Sequence, residues 1–337
     1  MIKTHTIFQI LLISFVITLV SCQNKTEQTT DPVSVSNWQY FGQTSPGSEP
    51  HLFSPDIIST RRNERDFAIS PAGNEIFYTL VLPDKNHYVI LYMYFDGFFW
   101  SEPQVAPFSG QYNDLEPAFS PNGKKLFFIS NRPLTDGKEK SDYDIWFVDK
   151  TMSDWSKPVN IGAPVNTIKS EYYPSVTSDG TLYFTAGYDN SLGAEDIYYS
   201  RMEENNYTLP VNAGDSINSS LYEFNAFVAP DESYILFSSF GREDDLGDGD
   251  LYISYKINDT LWTKARNLGK TINSDKLDYC PFVTYDNKYL FFTSQRIDPG
   301  FKTNYRKNLG VILQLADGIK NGLGNIYWVE FDAQAFR

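Results

Sequence analysis

Short apolar runs separated by polar turns recur along this 337-residue chain, and five of them share one pattern. The segment Asp66-Phe-Ala-Ile-Ser-Pro-Ala-Gly-Asn-Glu-Ile-Phe-Tyr returns as Glu116-Pro-Ala-Phe-Ser-Pro-Asn-Gly-Lys-Lys-Leu-Phe-Phe, and again from Tyr173, Asn225 and Cys280. Successive starts lie 50, 57, 52 and 55 residues apart. Each copy holds two apolar runs of strand length joined by a turn: Ala72-Gly73, Asn122-Gly123, Asp179-Gly180, Asp231-Glu232 or Asp286-Asn287. Asn-Gly and Asp-Gly favour the positive φ of tight hairpins, and the last two copies lack that glycine. A third run opens at Asp144, Asp196, Asp250 and Asn325. A fourth begins with an aromatic residue, followed in most copies by proline three residues on: Trp100 and Pro103, Trp155 and Pro158, Tyr207 and Pro210, Trp262 and Ala265. Proline removes a ladder donor, so the fourth run belongs at a sheet edge.

A four-stranded unit repeated with a period near fifty predicts an all-β, five-bladed β-propeller of antiparallel blades. The fifth copy ends after its third strand. The segment from Pro50 to Pro55 is expected to supply the missing fourth strand near Tyr327 and so close the ring, which removes free sheet edges. A sixth blade would need three more strands that the sequence does not offer.

Residues 120–132 (SPNGKKLFFISNR) and 142–148 (DYDIWFV) resemble the WD40-like propeller repeats of the TolB type. Residues 321–332 (NGLGNIYWVEFD) and 40–50 (YFGQTSPGSEP) resemble a bacterial lipoprotein subgroup that carries such repeats. The resemblance implies a fold. It leaves function open, because these repeats serve binding scaffolds, peptidase propellers and sugar-acid lyases alike.

The N-terminus adds a targeting signal. Lys3 precedes a mostly apolar run from Ile7 to Val20, too short to span a bilayer comfortably, and Leu19-Val20-Ser21-Cys22 resembles a lipoprotein cleavage box. The expected division is a signal peptide at 1–21, a lipidated Cys22, a polar tether over 22–36 and the propeller over 37–337. Gln after Cys22 points to the outer membrane, facing either the periplasm or the outside. Cys280 then remains as a lone thiol, which excludes a disulfide framework and a zinc site. No metal or other cofactor is expected.

The chain carries a formal charge of −14, or −15 once residues 1–21, with Lys3 as their only charge, are removed. That excludes nucleic acid as a partner and disfavours direct adhesion to anionic lipid, leaving the lipid anchor as the membrane contact. A monomer that binds a protein, peptide or glycan is expected.

An acidic residue stands just before the first strand of every repeat: Glu64, Asp114, Glu171, Glu223 and Asp278. First strands line a propeller's channel, so these carboxylates, with Tyr112, Tyr172, Tyr222 and Tyr279 between them, are expected to form a ligand-binding collar that mutual repulsion would push up in pKa. The structural alternative is that each carboxylate accepts backbone N–H bonds from the loop between blades. Two residues on, and on the same side by strand alternation, come Asp66, Glu116, Tyr173, Asn225 and Cys280. A glycan-active hydrolase or lyase would cast Asp66, Glu116 and Glu171 as catalytic groups. The near-symmetry of the collar argues instead for binding, because catalysis needs acids in opposed environments. No G-x-S-x-G or His-paired nucleophile occurs, which disfavours serine hydrolysis.

Three further patterns complete the reading. Arg132, Arg242 and Arg296 recur after the second strand and are expected, with the opening aspartates of the third, to make bonds within blades. The acidic loop 241–250 only faintly resembles a calcium loop. Residues 295–324 form a long insertion in which Leu309, Ile312, Leu313 and Ala316 have helical spacing behind a possible N-cap, Asn308. The plainest reading is a helix packed on its blade, although Lys302, Arg306, Lys307 and Lys320 make the insertion locally basic.

Overall fold

The structure, a computed structural model, describes residues 40–135, 140–152 and 154–337. The expected signal segment, Cys22 and the tether lie outside the described residues. Five sheets of four antiparallel strands form five blades, each ordered first to fourth strand outward from the axis. Blade I contains Asn63–Ile69, Glu75–Val81, Tyr88–Tyr94 and Gln104–Val105. Blade II contains Asp114–Phe119, Lys125–Ser130, Asp144–Asp149 and Val159–Asn160. Blade III contains Glu171–Val176, Leu182–Ala186, Asp196–Ser200 and Val211–Asn212, and blade IV Tyr222–Val228, Tyr234–Phe240, Asp250–Tyr255 and Arg266–Asn267. Blade V joins Asp278–Val283, Tyr289–Ser294 and Asn325–Glu330 to His51–Leu52 from the other end of the sequence. His51 pairs with Trp328 and Leu52 with Tyr327 in antiparallel register, so the ring closes as the orphan strand predicts.

Second strands carry the core because they are covered on both faces. Ile76, Phe77, Leu126, Phe128, Leu182, Phe184, Leu236 and Phe291 are all fully buried between blades. Ring closure is sealed by Phe53, which is fully buried with its ring 4.9–5.8 Å from those of Phe41, Phe67, Phe291 and Trp328. Aromatic pairs at such distances add about 0.5–1.5 kcal/mol beyond their area burial.

The turns between first and second strands form in all five blades. Gly73, Gly123 and Gly180 take φ of 71°, 67° and 90°, and Glu232 and Asn287 take 60° and 57° at the corresponding positions. Glu232 is held there by Tyr183 Oη, which donates to its Oε1 at 2.6 Å, and by Lys256 Nζ at 2.5 Å from its Oε2. The fourth strands are shorter than the sequence suggests, two residues each. Trp100, Trp155 and Trp262 lie ahead of them and close the preceding hairpin against Phe95, Lys150 and Lys256.

An asparagine pair, unforeseen from the sequence, ties the fourth strand to the third. In blade III Asn218 Oδ1 accepts from Ile197 N at 2.8 Å and its Nδ2 donates to Ile197 O at 2.9 Å and to Asn212 Oδ1 at 2.8 Å. Asn166 with Asn160, and Asn273 with Asn267, repeat this clasp in blades II and IV. The signal was present as Asn-x-Gly-x-x-x-Asn, seen at 160–166, 212–218 and 267–273.

Candidate functional site

The five acids expected to form a collar are buried: Glu64 is 2% exposed, and Asp114, Glu171, Glu223 and Asp278 are 0% exposed. Each faces the chain that leads into its own blade. Glu171 accepts from Thr167 N at 3.2 Å and Thr167 Oγ1 at 2.7 Å, and Glu223 accepts from Ser219 N at 2.8 Å and Ser219 Oγ at 2.7 Å. Glu64 does the same with Thr60, and Asp278 with Ser274. A hydroxyl residue four positions before the acid is thus the second half of the device in four blades; in blade II that position is Gly110, and Asp114 accepts from Ser130 Oγ at 2.7 Å instead. Arg132, Arg242 and Arg296 then bind Asp114, Glu223 and Asp278 and reach the carbonyls of Phe108, Ile217 and Ile272, locking second strand, acid and loop together. In blade III Tyr188 Oη replaces the arginine, 3.0 Å from Glu171. Four of the five carboxylates thus accept a backbone N–H from the chain entering their blade, the arrangement of the structural alternative. Burial, rather than mutual repulsion, is the leading cause that raises the pKa of Glu64, Asp114 and Asp278, and pushes Glu171 up to about 7.

The residues two positions on behave differently. Asp66, Glu116, Tyr173, Asn225 and Cys280 all have positive φ, between 50° and 60°. Each is the centre of a β-bulge where the pairing with the second strand shifts register. The bulge breaks strand alternation, so these side chains do not share the side of the buried acids, contrary to the expectation from simple alternation. They converge on the axis, where residues from different blades touch directly.

The hub is polar and closely bonded. Arg65 Nε donates to Asp66 Oδ1 at 2.7 Å, and Arg65 Nη2 donates to Glu116 Oε1 at 2.9 Å and Cys280 Sγ at 3.4 Å. Cys280 Sγ lies 2.8 Å from Asp66 Oδ1 and 3.4 Å from Asn225 Oδ1. Asn225 Nδ2 reaches Glu116 Oε1 at 3.3 Å, and Tyr173 N donates to Glu116 Oε2 at 2.6 Å. All five blades are thereby connected through one network. Burial pushes Glu116 up to about 8 despite the neighbouring guanidinium, and raises the Cys280 thiol and Tyr173 hydroxyl further still.

The bulge leaves the amide of its central residue outside the ladder, and a neighbouring blade satisfies it. Asp66 N donates to Thr293 Oγ1, Glu116 N to Thr79 Oγ1 and Asn225 N to Thr185 Oγ1, at 3.1–3.3 Å. Blade II has Ile129 where Thr79, Thr185 and Thr293 stand, and there the Glu116 carboxylate takes the amide of Tyr173 instead. Glu116 alone among the five bulge residues fills this gap, its Oε2 accepting from the amide of the next blade's bulge residue.

Above the hub, the mouth is aromatic. Arg65, whose side chain is 17% exposed, lies under the Tyr279 ring at 5.1 Å. Half-buried Tyr172 packs beside Tyr143 with ring centroids 5.8 Å apart. Tyr112 is half-buried with Arg132 5.7 Å from its ring, and Tyr222, 46% exposed, meets exposed Phe240 edge to face at 6.4 Å. Tyr112, Tyr172 and Tyr222 thus reach solvent, whereas Tyr279 is buried over the arginine. The acids of loop 241–250 are used internally: Asp244 and Asp245 accept from Tyr252 Oη at 2.8 and 2.7 Å, and Asp250 from Leu246 N at 2.8 Å. Among the described residues no group of three or more His, Cys, Asp or Glu side chains is placed to hold a metal ion.

Comparison with solved structures places the chain among β-propellers. It is similar to a glycoside hydrolase, with a TM-score of 0.53 at 9% identity over 86% of this chain and 92% of that protein. An endo-arabinanase from Bacillus licheniformis gives a TM-score of 0.47 at 11% identity over 84% and 98% of the two proteins. TolB from Acinetobacter baumannii gives 0.47 at 13% identity over 82% of this chain, which spans 56% of that protein. No protein-family model and no curated protein matches the chain. At these identities the likeness establishes the propeller fold and nothing about its chemistry.

Proposed function

We propose that this protein is a non-catalytic binding module of the bacterial envelope, tethered through Cys22, that recognises a protein, peptide or glycan at the channel mouth. One observation carries the reading: Arg65 fills the axis and pairs with Asp66 and Glu116. Those two carboxylates and Glu171 are the groups a channel-mouth hydrolase would use. They are 1%, 4% and 0% exposed, and each is bonded to protein donors. Burial and these bonds leave such an acid little reach toward a glycosidic oxygen or a water, which supports binding over hydrolysis. What the mouth offers a ligand is flat aromatic surface, Tyr172 with Tyr143 and Tyr222 with Phe240, around the partly exposed Arg65 side chain. Such groups bind by stacking and by hydrogen bonding.

The test is a binding screen of the purified chain against envelope glycans and solubilised envelope proteins, with turnover of polysaccharides followed in parallel. The expected result is capture without turnover, weakened about tenfold or more in a Tyr172→Ala, Tyr222→Ala variant that keeps its melting temperature. Polysaccharide cleavage that disappears in Glu116→Gln would replace this reading with the hydrolase.

A further inference from the structure

The insertion between second and third strands of blade V carries a surface that the channel mouth does not use. Its helix α1, Leu309–Ala316, is capped by Asn308, whose side chain accepts from Val311 N. None of its residues is buried, so it is not the packed helix that its periodicity suggests. Leu309, Ile312 and Leu313 are 68%, 48% and 51% exposed, and Tyr305 ahead of them is 59% exposed.

The charge beside this apolar patch is opposite to that of the molecule. Arg306, Lys307 and Lys320 belong to the insertion. The fold adds Arg61 and Arg62 from the chain entering blade I, because Asn321 Nδ2 donates both to Arg61 O at 3.1 Å and to Ala316 O at the end of α1 at 3.3 Å. Among the described residues Arg61, Arg62, Arg306 and Lys320 make no ion pair within 4 Å, whereas Lys302 is held by Asp275. The insertion's own carboxylates are Asp298, whose side chain accepts from Gly300 N, and Asp317 at the C-cap of α1, so its cations outnumber them. The rest of the chain carries the excess of acid, but salt screens exposed charges beyond about 8 Å, so a surface meeting this corner responds to the local sign.

We propose that this corner docks on an anionic lipid surface, with the aliphatic side chains of α1 and Tyr305 in the headgroup boundary and the five cations around them. Exposed aliphatic and aromatic residues ringed by long-stemmed cations are what an interfacial segment requires. Docking rests on the proposed tether only for bringing the corner within reach, since the lipid, not the tether, selects it. The sequence-based expectation of no direct lipid contact took net charge as the guide; the fold segregates the charge.

The full chain is mixed with vesicles of phosphatidylcholine alone or of phosphatidylcholine and phosphatidylglycerol in equal parts. Flotation with phosphatidylcholine reads the tether. Amide exchange in residues 301–316 reads the docking. Exchange there is expected to slow by about tenfold or more on the anionic vesicles only, and to recover in high salt. An Arg61→Gln, Arg62→Gln, Arg306→Gln, Lys320→Gln variant loses this protection, each cation being worth about fivefold in partitioning. Leu309→Ser, Ile312→Ser, Leu313→Ser loses it too, and because all three side chains are exposed its fold is kept. Equal exchange on both vesicle types overturns the proposal. So does protection that grows with protein concentration without lipid, which gives the face to a second copy, or equal protection by polyglutamate, which gives it to an acidic peptide.

Discussion

Arg65 is the residue on which the hub depends. Its guanidinium pairs with Asp66 and donates to Glu116 where neither has access to bulk water. Removing one partner of a buried ion pair costs about 3–5 kcal/mol, because the other charge stays behind unpaired. Arg65→Met is expected to lose stability of that order in urea unfolding at neutral pH. The wild-type protein should show a pH dependence. Glu116 and Glu171 are raised from the ordinary 4.5 to about 8 and about 7. The folded state holds these protons more tightly than the unfolded chain, so their contribution to stability is full below pH 4.5 and is lost as pH rises toward 8. A urea midpoint that falls between pH 5 and 8, with a smaller fall in Glu116→Gln, is the expected measurement. Neither Arg65 nor the bulge was legible as a site in the sequence. Arg65 occurs in one repeat only, whereas the signal that a repetitive sequence offers is recurrence.

At the scale of the element, the repeated acid is a splint between a blade and the loop that enters it. Glu223 accepts from Ser219 N and Oγ, Ser239 Oγ and Arg242 Nη2. Glu223→Gln places an amide among these donors, with an expected cost of about 1–3 kcal/mol from the groups left unsatisfied. Calorimetry that finds the melting temperature unchanged would return the residue to a role in ligand contact. The acid's recurrence was visible in the sequence, and so were its arginine and the hydroxyl four residues earlier. Its inward direction was not, because strand alternation predicts a face only where the pairing is regular, and every first strand contains a bulge. The same limit applies to α1. Its spacing and cap were readable, but periodicity describes a helix without saying whether anything lies against its apolar side.

For the whole molecule, closure by His51–Leu52 decides whether five blades act as one. Phe53 sits at that seam between blades I and V. Phe53→Ala is expected to cost about 3–5 kcal/mol through lost burial and the cavity left behind. The loss should appear as early opening of blade V, with amide exchange of residues 325–330 rising ahead of residues 234–240 in blade IV. Uniform exchange across the blades would mean that the seam is not the weak point.

The sequence by itself determined the architecture: the period, the turns, the aromatic second strands and the orphan strand at Pro50 each report local geometry or burial, and five copies make the signal redundant. Only the tertiary structure decided which side chains meet. The hub joins residues as far apart as Asp66 and Cys280, and the basic corner joins Arg61 to Asn321; each contact depends on closure, on five bulges or on one side-chain amide. These are features of position around an axis, and a linear pattern of apolar and polar residues carries distance along the chain but not angle around the ring.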